Sequence, residues 1–262
     1  MKQTAGKKTL VLGIVNATPD SFSDGGAYDP VEHAADLAAA GADALDVGGE
    51  STRPGFTEVP EEEELKRVMP VVTKLRVLYP GLPISVDTRK SRVAAAALEA
   101  GADWINDVSG GSYDPEILKV TAAGDAVFII GHDSRLHQSG AGGGIADEVL
   151  ACWRELFSRA LDAGIKPENI MVDPGFGFGK SVSENLELVR DFRRLVAGSP
   201  AGICVGVSRK RFLGPELAPL ERAEATRRLE AELAEAGARV IRTHDPGALL
   251  ETMRIRNMAE KS

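Results

Sequence analysis

Apolar positions in this chain fall into two alternating kinds of segment. Eight short runs rich in Val, Ile and Leu, at residues 10–16, 44–49, 84–88, 104–109, 126–132, 170–175, 203–208 and 240–244, lack the apolar-polar alternation of a half-exposed strand. Parallel strands covered on both faces have this pattern. Between them apolar residues recur every three or four positions, which predicts helices over 31–40, 61–78, 92–100, 115–123, 147–163, 184–196, 221–236 and 248–258. The helix exits repeat a phrase: Ala40-Gly41-Ala42-Asp43, Ala100-Gly101-Ala102-Asp103 and Ala236-Gly237-Ala238-Arg239, with Gly124 and Gly164 in matching places. A glycine just past a helix supplies the left-handed residue that turns the chain back toward the next strand.

Strand then helix, eight times in 262 residues with no linker, predicts an α/β chain folded as one (β/α)8 TIM barrel spanning residues 1–262. A doubly wound sheet is the weaker alternative. The barrel reading locates function, because barrel active sites lie at the C-terminal ends of the strands. Each of the eight ends is polar: Asn16, Asp46, Asp87, Asn106 with Asp107, His132 with Asp133, Asp173, Arg209 with Lys210, and Arg242 with His244.

Composition narrows the classes. With 43% hydrophobic and 27% charged residues the chain is globular. No apolar run approaches the about 18 residues of a membrane span, and Met1–Lys8 leads into a strand rather than a signal core, so a soluble cytoplasmic protein is expected. Cys152 and Cys204 have no ligand spacing, which argues against a disulfide framework or a zinc site. The formal net charge of −8 argues against nucleic acid as a partner, so an anionic substrate would have to be held by a local cluster of cations.

Such a cluster is present. Ser208-Arg209-Lys210-Arg211 follows the seventh strand, and Arg242 and His244, two residues apart on the eighth, would both face the mouth. Ser51-Thr52-Arg53-Pro54-Gly55 adds hydroxyls and a guanidinium from the second loop. Together they suit a diphosphate. Asp87, Asn106 and Asp173 end apolar strands, and a desolvated carboxylate needs hydrogen-bond donors. A planar heterocycle with a guanidine-like edge would supply them. An Asp or Asn that closes a turn or caps a helix is the other reading, and for Asp107 and Asp133 the sequence does not separate the two. Asn16 opens a loop ending in Gly25-Gly26 and offers one neutral oxygen, suited to a Mg2+ held mainly by substrate phosphates. In Asp173-Pro174-Gly175-Phe176-Gly177-Phe178-Gly179-Lys180, Phe176 or Phe178 could cover an aromatic substrate.

These motifs resemble those of the dihydropteroate synthases. The resemblance is carried by Val15-Asn16-Ala17-Thr18-Pro19-Asp20-Ser21-Phe22-Ser23-Asp24-Gly25-Gly26, Asp46-Val47-Gly48-Gly49-Glu50-Ser51-Thr52-Arg53-Pro54-Gly55, Ser85-Val86-Asp87-Thr88, Ile105-Asn106-Asp107, the 173–180 segment, Ser208-Arg209-Lys210 and Arg242-Thr243-His244-Asp245. It covers nearly the whole chain. It implies a TIM-barrel transferase of folate biosynthesis, dependent on Mg2+, homodimeric and a sulfonamide target. Such an enzyme joins 4-aminobenzoate to (7,8-dihydropterin-6-yl)methyl diphosphate, giving 7,8-dihydropteroate and diphosphate. Carried over by residue, Asp87, Asn106, Asp173 and Lys210 would grip the pterin. Arg242 would stack on it and, with His244, Asn16 and Mg2+, hold the diphosphate, to which Thr52 also contributes. Thr52, Arg53, Ser208 and Phe178 would form the 4-aminobenzoate site, and Lys210, Arg242, His244 and Asp87 would be the catalytic set.

Two features depart from the family pattern. Gly131-His132-Asp133 stands where Met-His-Met is usual, which would remove an apolar pterin contact. Residues 225–235 are charged where small residues are usual, near the usual dimer contact. They keep a non-catalytic pterin-binding relative among the readings. A pterin-binding domain of a corrinoid-dependent methyltransferase is a further one, although it has no use for Ser51-Thr52-Arg53-Pro54 or Ser208-Arg209-Lys210.

Overall fold

A computed structural model describes residues 9–18, 29–50, 58–138, 140, 142–214 and 216–259. Eight strands, β1 (Leu10–Asn16), β2 (Ala44–Gly48), β3 (Ile84–Asp87), β4 (Trp104–Asp107), β5 (Val127–Gly131), β6 (Ile170–Asp173), β7 (Gly202–Val205) and β8 (Val240–Thr243), pair in chain order, all parallel. β8 closes on β1, with Leu12 in register with both Ala44 and Arg242. The expected TIM barrel is the fold.

Side chains alternate across each strand. One set, Leu10, Leu12, Ala44, Trp104, Val127, Ile129, Met171, Cys204 and Val240, fills the barrel interior. The other, including Leu45, Val86, Ile105, Phe128, Ile130, Val172 and Ile241, packs under the surrounding helices. Burial on both faces is what removed the polar alternation from the sequence. The run 10–16 coincides with β1, and the other seven predicted runs extend one to three residues past the paired strands, because their last residues bend away into the loops.

The helices are α1 (Pro30–Ala39), α2 (Glu61–Leu78), α3 (Ser91–Glu99), α4 (Glu116–Ala123), α5 (Ile145–Asp162), α6 (Val182–Arg190), α7 (Phe192–Gly198), α8 (Pro219–Glu235) and α9 (Pro246–Ala259). The single helix predicted over 184–196 is two, α6 and α7, which meet at Asp191 with ψ near 9°. Apolar spacing runs through the break, since Leu188, Phe192 and Leu195 are all buried, so periodicity alone does not reveal it.

Gly41, Gly101, Gly164 and Gly237 have φ between +96° and +116°, as the repeated exit phrase predicts. Gly124 does not. It is the right-handed cap residue that follows α4, and Asp125 takes the left-handed position at φ +49°, held there by Lys166 at 2.8 Å and Asn169 at 3.1 Å.

Candidate active site

The inward alternation that fills the barrel continues one step beyond its core. Two residues past Ala44, Trp104, Met171 and Val240 come Asp46, Asn106, Asp173 and Arg242, so the floor of the mouth is polar where the interior below it is apolar. The same step past Ile129 and Cys204 reaches Gly131 and Gly206. At Gly131 a Cβ would lie 2.5 Å from the Cα of Val108, so this backbone path excludes any side chain there. The apolar residue expected of the family is therefore replaced by a close approach of two strand ends.

Arg242 ties this floor together. Its Nε donates to Asp46 Oδ2, its Nη2 donates to Asp87 Oδ2 at 2.5 Å, and Asn106 Nδ2 donates to the same Asp46 oxygen at 3.1 Å. Four strands thus meet in one charged network. Asp46 is fully buried and its Oδ1 has no partner among the described residues. Burial pushes the Asp87 carboxyl up to about 7, with the Asp46, Glu64 and Asp107 charges adding to the rise and Arg242 opposing it.

A second group comes from β6 and β7. Asp173 Oδ1 accepts from the Gly175 N–H at 2.6 Å, and burial raises its pKa against that hydrogen bond and the nearby Lys210, Arg242 and Lys180. Lys210 follows β7. Its stem runs beside Gly177, whose added Cβ would be 3.2 Å from Lys210 Cδ, and its ammonium sits 4.1 Å from the Phe178 ring centroid. Burial lowers the Lys210 pKa to about 8, with Asp173 pulling it up. Of the two candidate phenylalanines, Phe178 carries this cation, while Phe176 is buried against Phe212 in the outer core.

At the end of β8, His244 Nδ1 lies 2.9 Å from Ser208 Oγ, which also accepts from the His244 N–H at 3.3 Å. Asn16 is half-buried at the end of β1, in register with Gly48. Thr52, Arg53 and Gly25-Gly26 lie outside the described residues. Asp107 turns out to close a turn, accepting from Ser109 N, Ser109 Oγ and Gly111 N at 2.7 Å each. Asp133 pairs with Arg135 at its own loop.

Sequence reasoning passed over several residues of the mouth. Asp46 was legible as a strand end, yet its inward phase, two past Ala44, is the signal that it joins the floor. Lys180 is buried and donates to the carbonyls of Gly175 at 2.9 Å, His132 at 3.0 Å and Phe178 at 3.3 Å, so it fastens the sixth loop to the exit of β5. Lys90, also buried, lies 2.5 Å from both Glu50 and Glu64 and donates to the Val59 carbonyl at 2.8 Å. It pins both stems of the loop that carries Thr52 and Arg53.

Beneath Ser208 lies Glu230 of α8, fully buried, with Thr243 Oγ1 donating to it at 3.1 Å and its other oxygen unpartnered among the described residues. Burial pushes its carboxyl up to about 8 from an ordinary 4.5, with Thr243 opposing the rise, Asp245 adding to it, and Ser208 and Arg227 opposing it. A raised carboxyl pKa means the folded state keeps a proton that the unfolded state has released, so stability falls as pH rises from about 4.5 to about 8. Glu230→Gln should be more stable than the parent at pH 8.5, by on the order of a few kcal/mol, and nearly equal to it at pH 4. Urea midpoints at the two pH values check this, and a gap independent of pH would refute it.

A barrel whose C-terminal mouth sets buried acids and an amide beside two cations and a histidine is built as an enzyme site for a small anionic heterocycle. A family described as "Pterin binding enzyme" matches residues 12–244. The dihydropteroate synthase of Streptococcus pyogenes serotype M6 is 42% identical over 246 residues, covering 90% of each chain. Among solved structures, the dihydropteroate synthase of Xanthomonas albilineans with 4-aminobenzoic acid superposes with a TM-score of 0.87 at 38% identity, covering 97% of this chain and 94% of that one. The corresponding enzyme of Clostridium difficile, in the presence of pteroic acid, gives 0.89 at 36% identity and 98% coverage of both. The chain belongs to the dihydropteroate synthase family of pterin-binding enzymes, transferases of folate synthesis.

Proposed function

We propose that this chain condenses 4-aminobenzoate with (7,8-dihydropterin-6-yl)methyl diphosphate, releasing diphosphate and giving 7,8-dihydropteroate. The observation that carries the assignment of roles is the network in which Arg242 joins Asp46, Asp87 and Asn106 at the barrel mouth. Relatives solved with 4-aminobenzoic acid and with pteroic acid support the same substrates.

In this reading Asp173 and Asn106 bind the guanidine-like edge of the pterin, a bidentate match for a carboxylate and a donor-acceptor match for an amide. Asp87 faces the ring from β3. Lys210 lies over Phe178 and presents its ammonium to the pterin. Arg242 gives Nε and Nη2 to the two acids and turns the rest of its guanidinium to the ring face and the diphosphate, with His244 beside it. As the methylene-oxygen bond breaks, electrons leave with the diphosphate. The cations stabilise that charge, while the carboxylates tolerate the positive methylene. The amine of 4-aminobenzoate then attacks the methylene, forming the C–N bond and releasing one proton to solvent, so no activated protein nucleophile is required. Ser208, held by His244 at 2.9 Å, is assigned to 4-aminobenzoate with Phe178, Thr52 and Arg53, and Thr52 also to the diphosphate. A sulfonamide would compete there.

The single neutral oxygen of Asn16, at a strand end without a carboxylate in register with it, fits a Mg2+ whose other ligands are diphosphate oxygens and water. When bound, such an ion supplies charge neutralisation of the leaving group. The remaining elements of the reading are one domain over 1–262, a cytoplasmic location and a homodimer. Among the described residues no helix is long and apolar enough to cross a membrane.

Purified protein should release diphosphate only when both substrates and Mg2+ are supplied. Pterin binding without release would instead favour the non-catalytic reading.

A further inference from the structure

His132 is 1% exposed, and neither of its ring nitrogens has a hydrogen-bond partner among the described residues. A neutral imidazole always carries one N–H and one lone pair, so a buried ring with neither satisfied is unusual and costly. What surrounds it is chemically specific. His137, in the loop after β5, has its ring centroid 5.5 Å away. Cys152, on α5 and buried, completes the group: one ligand atom from each of the three residues lies within 4.8 Å of the other two.

Strand alternation separates this cluster from the mouth. Phe128 and Ile130 belong to the outer core, so His132, two residues beyond Ile130, projects to the same side of the barrel wall, toward α5. The cluster shares no residue with the network around Arg242. Its donors, two imidazoles and a thiol, are those of a borderline or soft cation, and they differ in kind from the hard oxygen offered by Asn16.

We propose that His132, His137 and Cys152 form a binding site for Zn2+, with water in the fourth position. Tetrahedral zinc holds neighbouring N and S ligands about 3.3 to 3.6 Å apart, so side-chain rotation closes the set. His137 now accepts from the Asp133 N–H at 3.2 Å through Nδ1 and lies 3.0 Å from Ser112 Oγ through Nε2. Binding exchanges one of these bonds for the metal. Burial keeps His132 neutral, its pKa lowered to about 3, and holds the Cys152 thiol protonated, raised to about 12. Cys152 therefore gives up its proton to solvent as the Zn–S bond forms. Lys180 and Arg159 repel the ion and Asp133 attracts it. Half-exposed Ser134 and His137 with exposed Arg135 and Leu136 give a path from solvent. The ion would clamp the exit of β5 to α5.

The test uses the full chain, stripped with chelator and kept reduced, titrated with Co2+ as a spectroscopic stand-in for Zn2+. One equivalent should develop a near-ultraviolet sulfur-to-cobalt band with tetrahedral visible bands, be displaced by stoichiometric Zn2+, and persist in millimolar Mg2+. Cys152→Ser should lose the ultraviolet band, and His137→Gln, in the partly exposed loop, should weaken Co2+ at least tenfold even if the cysteine variant does not fold. Absence of the band in the parent, its retention in Cys152→Ser, or unchanged affinity in His137→Gln would each overturn the site.

Discussion

Lys210→Ala should lower kcat/KM for diphosphate release by about a hundredfold to a thousandfold, the usual cost of removing one preorganised charge from an active site. Lys210 lies over Phe178, alongside Gly177, and shares its surroundings with Asp173, Asp87 and Arg242. Its ammonium is partly desolvated, which strengthens its interaction with a pterin or a departing diphosphate and also lowers its pKa to about 8. A lowered lysine pKa means the charge is lost as pH rises through about 8, so kcat/KM of the parent should fall above that pH with a slope of one proton. In Lys210→Ala that limb should vanish. Lys210→Arg should rescue little, because a planar guanidinium does not fit the slot beside Gly177 in the way a single ammonium does. Turnover within threefold of the parent would remove Lys210 from the site, and a loss of activity accompanied by a large fall in Tm would turn the residue into a structural one.

How much of this was legible depended on whether the deciding contact is local in sequence. Buried parallel strands announce themselves by runs such as Leu10–Asn16, and positions at their ends follow from the barrel rule, so the sequence alone places Asp87, Asn106, Asp173 and Arg242 at one mouth. Their mutual pairing could not. That Arg242 serves two acids at once depends on the closure of β8 onto β1 and on the inward phase of Asp46, sequence separations of 155 and 196 residues. The break at Asp191 was hidden because apolar spacing continues through it. The left-handed residue after α4 was hidden because a glycine beside the right place drew the assignment, while two side chains that stabilise Asp125 come from beyond α5. The approach of His132, His137 and Cys152 was hidden for the same reason. His132 and Cys152 are 20 positions apart, and only the packing of α5 on β5 brings a thiol to an imidazole.

Arg242→Met should damage both stability and catalysis, and the two losses can be pulled apart. In the folded protein the guanidinium is the cation shared by Asp46, which is wholly buried, and Asp87. Removing it leaves two carboxylates facing each other without a counter-ion. Breaking a buried pair from one side costs about 3 to 5 kcal/mol, which for a domain of this size lowers Tm by roughly 6 to 20 °C. Protonation relieves part of that cost. Burial holds the Asp87 carboxyl up at about 7 even with Arg242 present, and without the arginine its pKa must rise further, so the deficit relative to the parent should deepen as pH rises above about 7 and level off below it. Adding Asp87→Asn to Arg242→Met should therefore recover stability at pH 8 while leaving diphosphate release down by about a thousandfold or more, because an amide removes the repulsion but supplies no cation to the leaving group. If the double variant recovered activity along with Tm, Arg242 would be only a strut for the two acids. If it recovered neither, the repulsion between Asp46 and Asp87 would not be what the guanidinium neutralises, and the network at the mouth would need a different partition of charge.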